Sequence, residues 1–203
     1  MGLDALIIGP PGSQKTTTLI AKLKKEADPR PHQRVLCIGS TLDVRRESVL
    51  STHNDSLNVS DETSHITFIK TRRLMDLRDE VDKYAVIGID EGHFFEDLVE
   101  FVFWTAIQLD LTVMVAALSG DINMELIGHT HRLIPYVESG GILNLGARCE
   151  KCLANGVPAR YANASFVMMQ GLDDRVGQIK VGGLETYIPV CRGHHPKSNL
   201  PIV

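Results

Sequence analysis

The stretch from Ala5 to Ala27 constrains this chain more than any other. It opens with the apolar run ALIIG, passes through a turn rich in glycine and proline, GPPGSQKT, and continues as TTTLIAKLKKEA. A short continuous apolar run that ends in a glycine turn is the pattern of a strand buried on both faces, as in a parallel sheet. The residues after the turn place apolar side chains at Leu19, Ile20 and Leu23 and lysines late in the run, a helical pattern that Pro29 and Pro31 end. Strand, glycine turn and helix together are the setting in which backbone N–H groups cradle a phosphate at the positive end of a helix. The motif G-x-x-x-x-G-K-[ST] is met here at Gly9, Lys15 and Thr16, while Gln14 stands where its second glycine belongs.

The candidate ATP-binding residues of this loop are therefore Gly9, Pro10, Pro11, Gly12, Ser13, Gln14, Lys15, Thr16 and Thr17. Lys15 is expected to reach the β- and γ-phosphates, and Thr16 to bind Mg²⁺. Gln14 carries a Cβ where a glycine would let the backbone approach phosphate, so weaker ATP binding or a local rearrangement is expected. The two prolines and Gly12 offer another route to the loop's shape.

Further strands are expected at Arg34–Gly39, Tyr84–Asp90 and Leu111–Leu118, with helical patterns around Leu74–Val81 and Phe95–Leu109. Strands alternating with helices imply a parallel sheet with helices on both faces. After Leu118 the pattern changes. SGDINMELIGHTHR is polar and irregular, GGILNLGARCEKC suggests a strand leading into a Cys-x-x-Cys turn, and Asn163–Gly183 has no periodicity. A boundary near Gly146 divides the chain into an α/β nucleotide-binding domain, 1–146, and a cysteine-bearing element, 147–203. His129 and His131 are expected in a solvated loop without partners.

VIGIDEGHFF places Asp90 and Glu91 at the end of a buried strand, where the carboxyl ends of parallel strands open into a ligand crevice. Downstream of a phosphate loop, Asp90 is expected to hold Mg²⁺ and Glu91 to take a proton from an attacking hydroxyl. Read with the loop, this strand resembles the thymidine kinase family shared by animal cells, bacteria and large DNA viruses. The family's loop G-P-M-F-S-G-K-[ST], acidic strand I-D-E-x-Q-F-F and later A-x-L-D-G-T-F correspond to GPPGSQKT, IDEGHFF and AALSGDI. Its Asp-x-Arg and [ST]-His pattern is matched by Asp43, Arg45, Thr52 and His53, and its closing motifs by VGGLETY and CRGH. The succession covers nearly the whole chain.

The resemblance implies transfer of the γ-phosphoryl of ATP to the 5′-hydroxyl of thymidine or deoxyuridine, a salvage step that supplies DNA synthesis. Glu91 would be the general base, acting with Lys15, while Asp90 and Thr16 would hold magnesium. Asp43 and Arg45 would face the phosphates. Phe94 would stack on the pyrimidine, Leu118 and Ile122 would line its pocket, and Tyr187 would close it. Phe94 and Leu118 are also compatible with ordinary core positions. A homotetramer is implied as well. The chain departs from the family at Gln14, at His93 for a glutamine, at Ser119 for an aspartate and at Ile122 for a phenylalanine, which implies a wider pocket and a shifted nucleoside preference.

Cys149 and Cys152 form a Cys-x-x-Cys pair, and Cys191 with His194 repeats the spacing. Two such pairs suit tetrahedral Zn²⁺, structural because four protein ligands leave no position for water. His195 is an alternative fourth ligand, though the family's spacing favours His194; a redox Cys-x-x-Cys is the other reading. Zinc here would tie both ends of a loop that folds over the nucleoside. The expected fold class is thus α/β: a P-loop (RecA-like) parallel sheet flanked by helices, with a small zinc-ribbon or lasso-loop C-terminal element.

A net charge of −4 without a run of like charges makes duplex nucleic acid a poor partner, because phosphate-backbone binding leaves a basic footprint. The apolar stretch Leu98–Leu118 is broken by Glu100, Gln108 and Asp110, against a membrane span, and no basic leader precedes the first strand. A reducing cytoplasmic setting is expected, with Cys37 a small buried hydrophobe. Competing readings are a P-loop ATPase in which Glu91 activates water, and a degenerate kinase that binds nucleotide without efficient turnover because of Gln14.

Overall fold

The computed structural model describes residues 2–27, 34–43, 66–158, 161–162, 166–168 and 187–195. Strand β1 (Gly2–Gly9) leads through the loop to helix α1 (Lys15–Ala27) and then β2 (Val35–Ser40). Strands β3 (Ile66–Thr71), β4 (Val86–Ile89), β5 (Thr112–Leu118) and β6 (Ile142–Asn144) complete one sheet in the order β3-β2-β4-β5-β1-β6. Every pairing in it is parallel. A parallel sheet must be covered on both faces, and the central strands show why these segments are apolar throughout: β2 and β4 are buried at every position.

The two faces carry separate cores. On one, Leu19, Ile20 and Leu23 of α1 pack with Ala5, Ile7, Val35, Cys37, Val86, Met114 and Ala116. Burying each of those helix side chains contributes about 1.5–3 kcal/mol. The contact is close because β4 has a glycine beneath the helix: a Cβ at Gly88 would lie 2.5 Å from Leu23 Cδ1. On the other face, Leu6, Leu36, Ile38, Ile87, Ile89, Val113 and Val115 meet Phe95, Leu98, Phe101 and Val102. α1 is thereby clamped with its first turn at the carboxyl end of the sheet.

Of the two expected helical segments, the first is broken into turns and the second starts later and changes its hydrogen bonding midway. Leu74–Leu77 and Val81–Lys83 are 3₁₀ turns, closed by bonds such as Arg78 N–H to the Met75 carbonyl and Glu80 N–H to the Leu77 carbonyl. Two separate short turns suffice to bury Leu74, Leu77 and Val81, so nothing requires a full helix. The segment expected from Phe95 becomes α2 (Leu98–Val102) continuing as a π-helical turn over Phe103–Gln108, with Leu109 N–H bonded to the Trp104 carbonyl. Its start is delayed because Asp97 caps another element, accepting from Leu74 N–H (3.2 Å) and Met75 N–H (2.9 Å). Strand β3 was not expected. ITFIKT is an edge strand with mixed burial, so it shows neither a continuous apolar run nor strict alternation.

Beyond the sheet, β7 (Ala147–Arg148) pairs with β8 (Tyr161–Ala162), and β9 (Phe166–Met168) with β10 (Tyr187–Pro189), both antiparallel. A short helix α3 (Glu150–Ala154) starts at Cys149, whose Sγ accepts from Cys152 N–H. Among the described residues no helix is long and apolar enough to cross a membrane.

Candidate active site and metal cluster

The carboxyl ends of β1, β4 and β5 build the site. Register puts Gly9 beside Leu118 and Ile89 beside Val115, so the loop after β1, the acidic pair after β4 and the tip of β5 share one end of the sheet. β5 separates β1 from β4, which sets their tips roughly 10 Å apart. The first turn of α1 closes that gap: Thr16 Oγ1 donates to the Asp90 carboxylate, 2.9 Å from Oδ2 and 3.1 Å from Oδ1.

The loop is ordered by its own polar groups. Pro10 carbonyl accepts from Ser13 N–H at 3.3 Å, from Ser13 Oγ at 2.8 Å and from Lys15 Nζ at 2.8 Å. Gln14 has φ of 64° and Gly12 of 74°. Glutamine therefore adopts the left-handed conformation that a glycine takes freely, at a cost of roughly 1–2 kcal/mol. Its carbonyl begins the helix, accepting from Thr18 N–H and Thr18 Oγ1, both at 2.9 Å, while its side chain stays exposed. Pro11, Gly12 and Thr17 lie at its partly open side and Ser13 inside it.

Asp90 is buried, and desolvation together with the neighbouring Glu91 charge lifts its pKa from 3.8 to about 7. The Thr16 hydroxyl, the Lys15 ammonium and the Glu91 backbone oppose that rise. Burial and a like charge destabilise the anion, and a bound cation is what would restore it. Glu91 sits at φ 52°, ψ 41°, a left-handed residue at the start of the turn Gly92–Phe94. Non-glycine residues held this way cost about 1–3 kcal/mol and concentrate at functional sites. His93 behind it is buried; its Nδ1 accepts from Leu118 N–H at 3.3 Å and its Nε2 lies 3.6 Å from Glu91 Oε2. Phe94 is half-buried, its ring 4.2 Å from that of His93.

Asp43 is buried just beyond β2, with its carbonyl accepting from Lys70 Nζ at 3.0 Å. Arg45, Thr52, His53 and the segment 181–186 lie outside the described residues. Leu118 and Ile122 are half-buried, and Tyr187 is buried on β10, where desolvation raises its phenol pKa. Ile122 is held from an unanticipated quarter: its carbonyl faces His195 Nε2 at 3.1 Å. The loop around it is built by Asp121, whose Oδ1 accepts from Asn123 N–H and Glu125 N–H. His195, the alternative metal ligand, thus serves the backbone of this loop instead. An aspartate that begins a polar turn is a signal for such a cap, because its side chain can accept from the backbone two residues on. The expectation that His129 has no partner is corrected. Its Nε2 lies 3.3 Å from Glu96 Oε2, an exposed pair that sequence distance conceals.

Cys149, Cys152, Cys191 and His194 converge, with all their ligand atoms within 4.8 Å of one another. His194 Nδ1 lies 3.3 Å from Cys149 Sγ, 3.6 Å from Cys152 Sγ and 3.5 Å from Cys191 Sγ, and the Cys152 and Cys191 sulfurs are 3.8 Å apart. A tetrahedron with Zn–S of about 2.3 Å and Zn–N of about 2.0 Å has edges of roughly 3.5–3.8 Å, so the donor set fits zinc. All cysteines are free thiols. Burial pushes the Cys149 thiol up, but donors from Cys191, Cys152 and His194 outweigh it and bring its pKa down to about 6. A thiol so readily ionised is suited to a metal. His194, not His195, completes the cluster.

Residues 3–195 match the family model for thymidine kinase. The chain is 34% identical over 191 residues to the thymidine kinase of Amsacta moorei entomopoxvirus, covering 92% of this chain and 94% of that protein. It is 33% identical to the cytosolic thymidine kinase of Cricetulus griseus, over 94% of this chain and 72% of the relative. With thymidine kinase a of Arabidopsis thaliana it shares 32% identity over 99% of its length and 78% of the relative. On that coverage the chain belongs to the thymidine kinase family and is an enzyme of that class.

Proposed function

We propose that the chain transfers the γ-phosphoryl of ATP to the 5′-hydroxyl of thymidine or deoxyuridine, giving dTMP and ADP. The observation that carries this reading is the bond between Thr16 and Asp90, which joins the phosphate loop to the acidic strand tip where Glu91 follows. The loop's backbone N–H groups and Lys15 bind the triphosphate, with Asp43 and Arg45 on its flank. Thr16 and Asp90 are the residues that would hold Mg²⁺, which when bound neutralises charge on the phosphates. Glu91 accepts the proton of the incoming hydroxyl, and Lys15 stabilises charge on the transferring group. Phe94, Leu118, Ile122 and Tyr187 bind the nucleoside. Phosphoryl transfer asks mainly for positioning and charge neutralisation, which these groups supply.

Cys149, Cys152, Cys191 and His194 would hold a structural Zn²⁺ that ties α3 to the strand carrying Tyr187. We divide the chain into a nucleotide-binding domain, 1–146, and a zinc-bearing element with a covering loop, 147–203. A homotetramer follows from the family resemblance, and a cytoplasmic setting is in keeping with the cytosolic thymidine kinase of Cricetulus griseus among the relatives. A coupled assay across the four common deoxynucleosides tests the reading. ADP release is expected to depend on thymidine, and release that ignores the nucleoside would make the chain an ATPase instead. Glu91→Gln should lower kcat by at least about a hundredfold while leaving ATP binding within about threefold.

A further inference from the structure

His93 stands where the family pattern has glutamine, and it occupies a junction. Its ring is buried between the acidic strand tip and the end of β5. The Leu118 N–H can only donate, so the Nδ1 it meets at 3.3 Å must present a lone pair. In the neutral ring the proton then resides on Nε2, the nitrogen that faces Glu91 Oε2 at 3.6 Å. That distance is slightly long for a hydrogen bond, as catalytic contacts are before substrates draw a site together. The same ring lies against Phe94 at a centroid distance of 4.2 Å. From behind, Gly128 approaches the His93 backbone so closely that a Cβ there would sit 2.5 Å from its carbonyl oxygen.

One imidazole thus touches the carboxylate read as the base, the backbone of Leu118 and the ring of Phe94. Glu91 needs such support, because its left-handed backbone aims the side chain without the help of a regular element. We propose that His93 is a positioning residue: locked by the Leu118 N–H, its Nε2–H orients the Glu91 carboxylate toward the incoming hydroxyl. The idea rests on Glu91 being the base. In the step, the hydroxyl proton passes to Glu91 as the new O–P bond forms and the bond to the bridging oxygen breaks, its electron pair leaving on ADP. The His93 proton stays where it is. Glutamine has the same pair of functions, a carbonyl to accept from Leu118 and an amide to donate to Glu91, whereas leucine has neither.

The test uses the full chain with zinc, Mg²⁺, ATP and thymidine, comparing His93→Leu, His93→Gln, Glu91→Gln and the double variant Glu91→Gln/His93→Leu. His93→Leu is expected to lower kcat roughly tenfold to a hundredfold with both KM values within about threefold, as loss of an orienting partner does. His93→Gln should recover most of the turnover, and in the Glu91→Gln background His93→Leu should cost nothing more. Unaltered kcat in His93→Leu overturns the proposal. So does an equal loss in the Glu91→Gln background, or a His93→Gln enzyme as slow as the leucine variant. Should His93→Leu fail to fold, as melting would show, the shorter His93→Asn replaces it with the same expected loss. Wild-type turnover in Glu91→Gln alone would remove the reading of Glu91, and this proposal with it; a slow Glu91→Gln beside a fast His93→Leu removes only the role of His93.

Discussion

The strand-tip site and the cysteine cluster are built by opposite means. The phosphate loop hangs from β1 and α1, both anchored in the apolar layers of the sheet, and its shape is held by backbone bonds and the Thr16–Asp90 contact. Among the described residues the cluster has a small apolar surround, Val190 and Ile188 beside its own cysteines, and four side chains drawn from opposite ends of a long connection. A large core can hold an unfavourable loop residue such as Gln14 or a buried charge such as Asp90. A small one depends on what its side chains bind. The two sites should therefore respond to different insults.

The largest effect is expected at the cluster. Cys152→Ser, or removal of zinc by a chelator, should abolish thymidine turnover while ATP binding changes by less than about threefold, because metal ligation supplies the folding free energy of such small elements. Metal analysis, calorimetry with ATP and a kinase assay on one sample would check it. ATP binding that vanishes together with the zinc would mean that the two regions fold as one unit.

Asp90→Asn probes the opposite side. For Asp90 the folded pKa lies above the unfolded one, so the native state binds more protons between pH 3.8 and about 7. Its contribution to stability is therefore full below that window and lost as pH rises through it. In the metal-free protein Asp90→Asn should raise stability at neutral pH by about 1–3 kcal/mol and flatten the decline above pH 4, while phosphorylation falls by at least about a hundredfold. Denaturant melts from pH 4 to 8 measure this, and a destabilised variant would contradict it. The smallest effect belongs to Gln14→Gly, which removes a Cβ from a left-handed position. ATP affinity should rise about threefold to tenfold by titration. Unchanged or weaker binding would show that the loop is built around the glutamine.

Much of the strand-tip site was legible because its motif is local. Gly9 to Thr16 are contiguous, and Asp90 and Glu91 follow an apolar strand whose end has to open into a crevice. The Cys/His cluster was legible for a related reason, since two residues separated by a tight turn reveal themselves in spacing. Strand β3 was hidden because an edge strand is half-exposed and its residues obey no clean period. The 3₁₀ turns at Leu74–Leu77 and Val81–Lys83 mimic a helix in their apolar spacing. His93 was legible only as a departure from a pattern, and His195 only as a candidate ligand. Their partners, Glu91, Leu118 and Ile122, are set by packing.

Local sequence specified strands β1, β2, β4 and β5, helix α1, the glycine-rich loop, the acidic strand tip and the two candidate ligand pairs, because each depends on neighbours in the chain and on local backbone geometry. Packing in three dimensions decided that β5 lies between β1 and β4, that Thr16 reaches Asp90, that His195 meets Ile122, and that His93 lies between Glu91 and Leu118. Those relations connect residues far apart in sequence. They are fixed by which apolar faces the sheet must bury and by which polar groups then find partners inside, and no spacing along the chain encodes them.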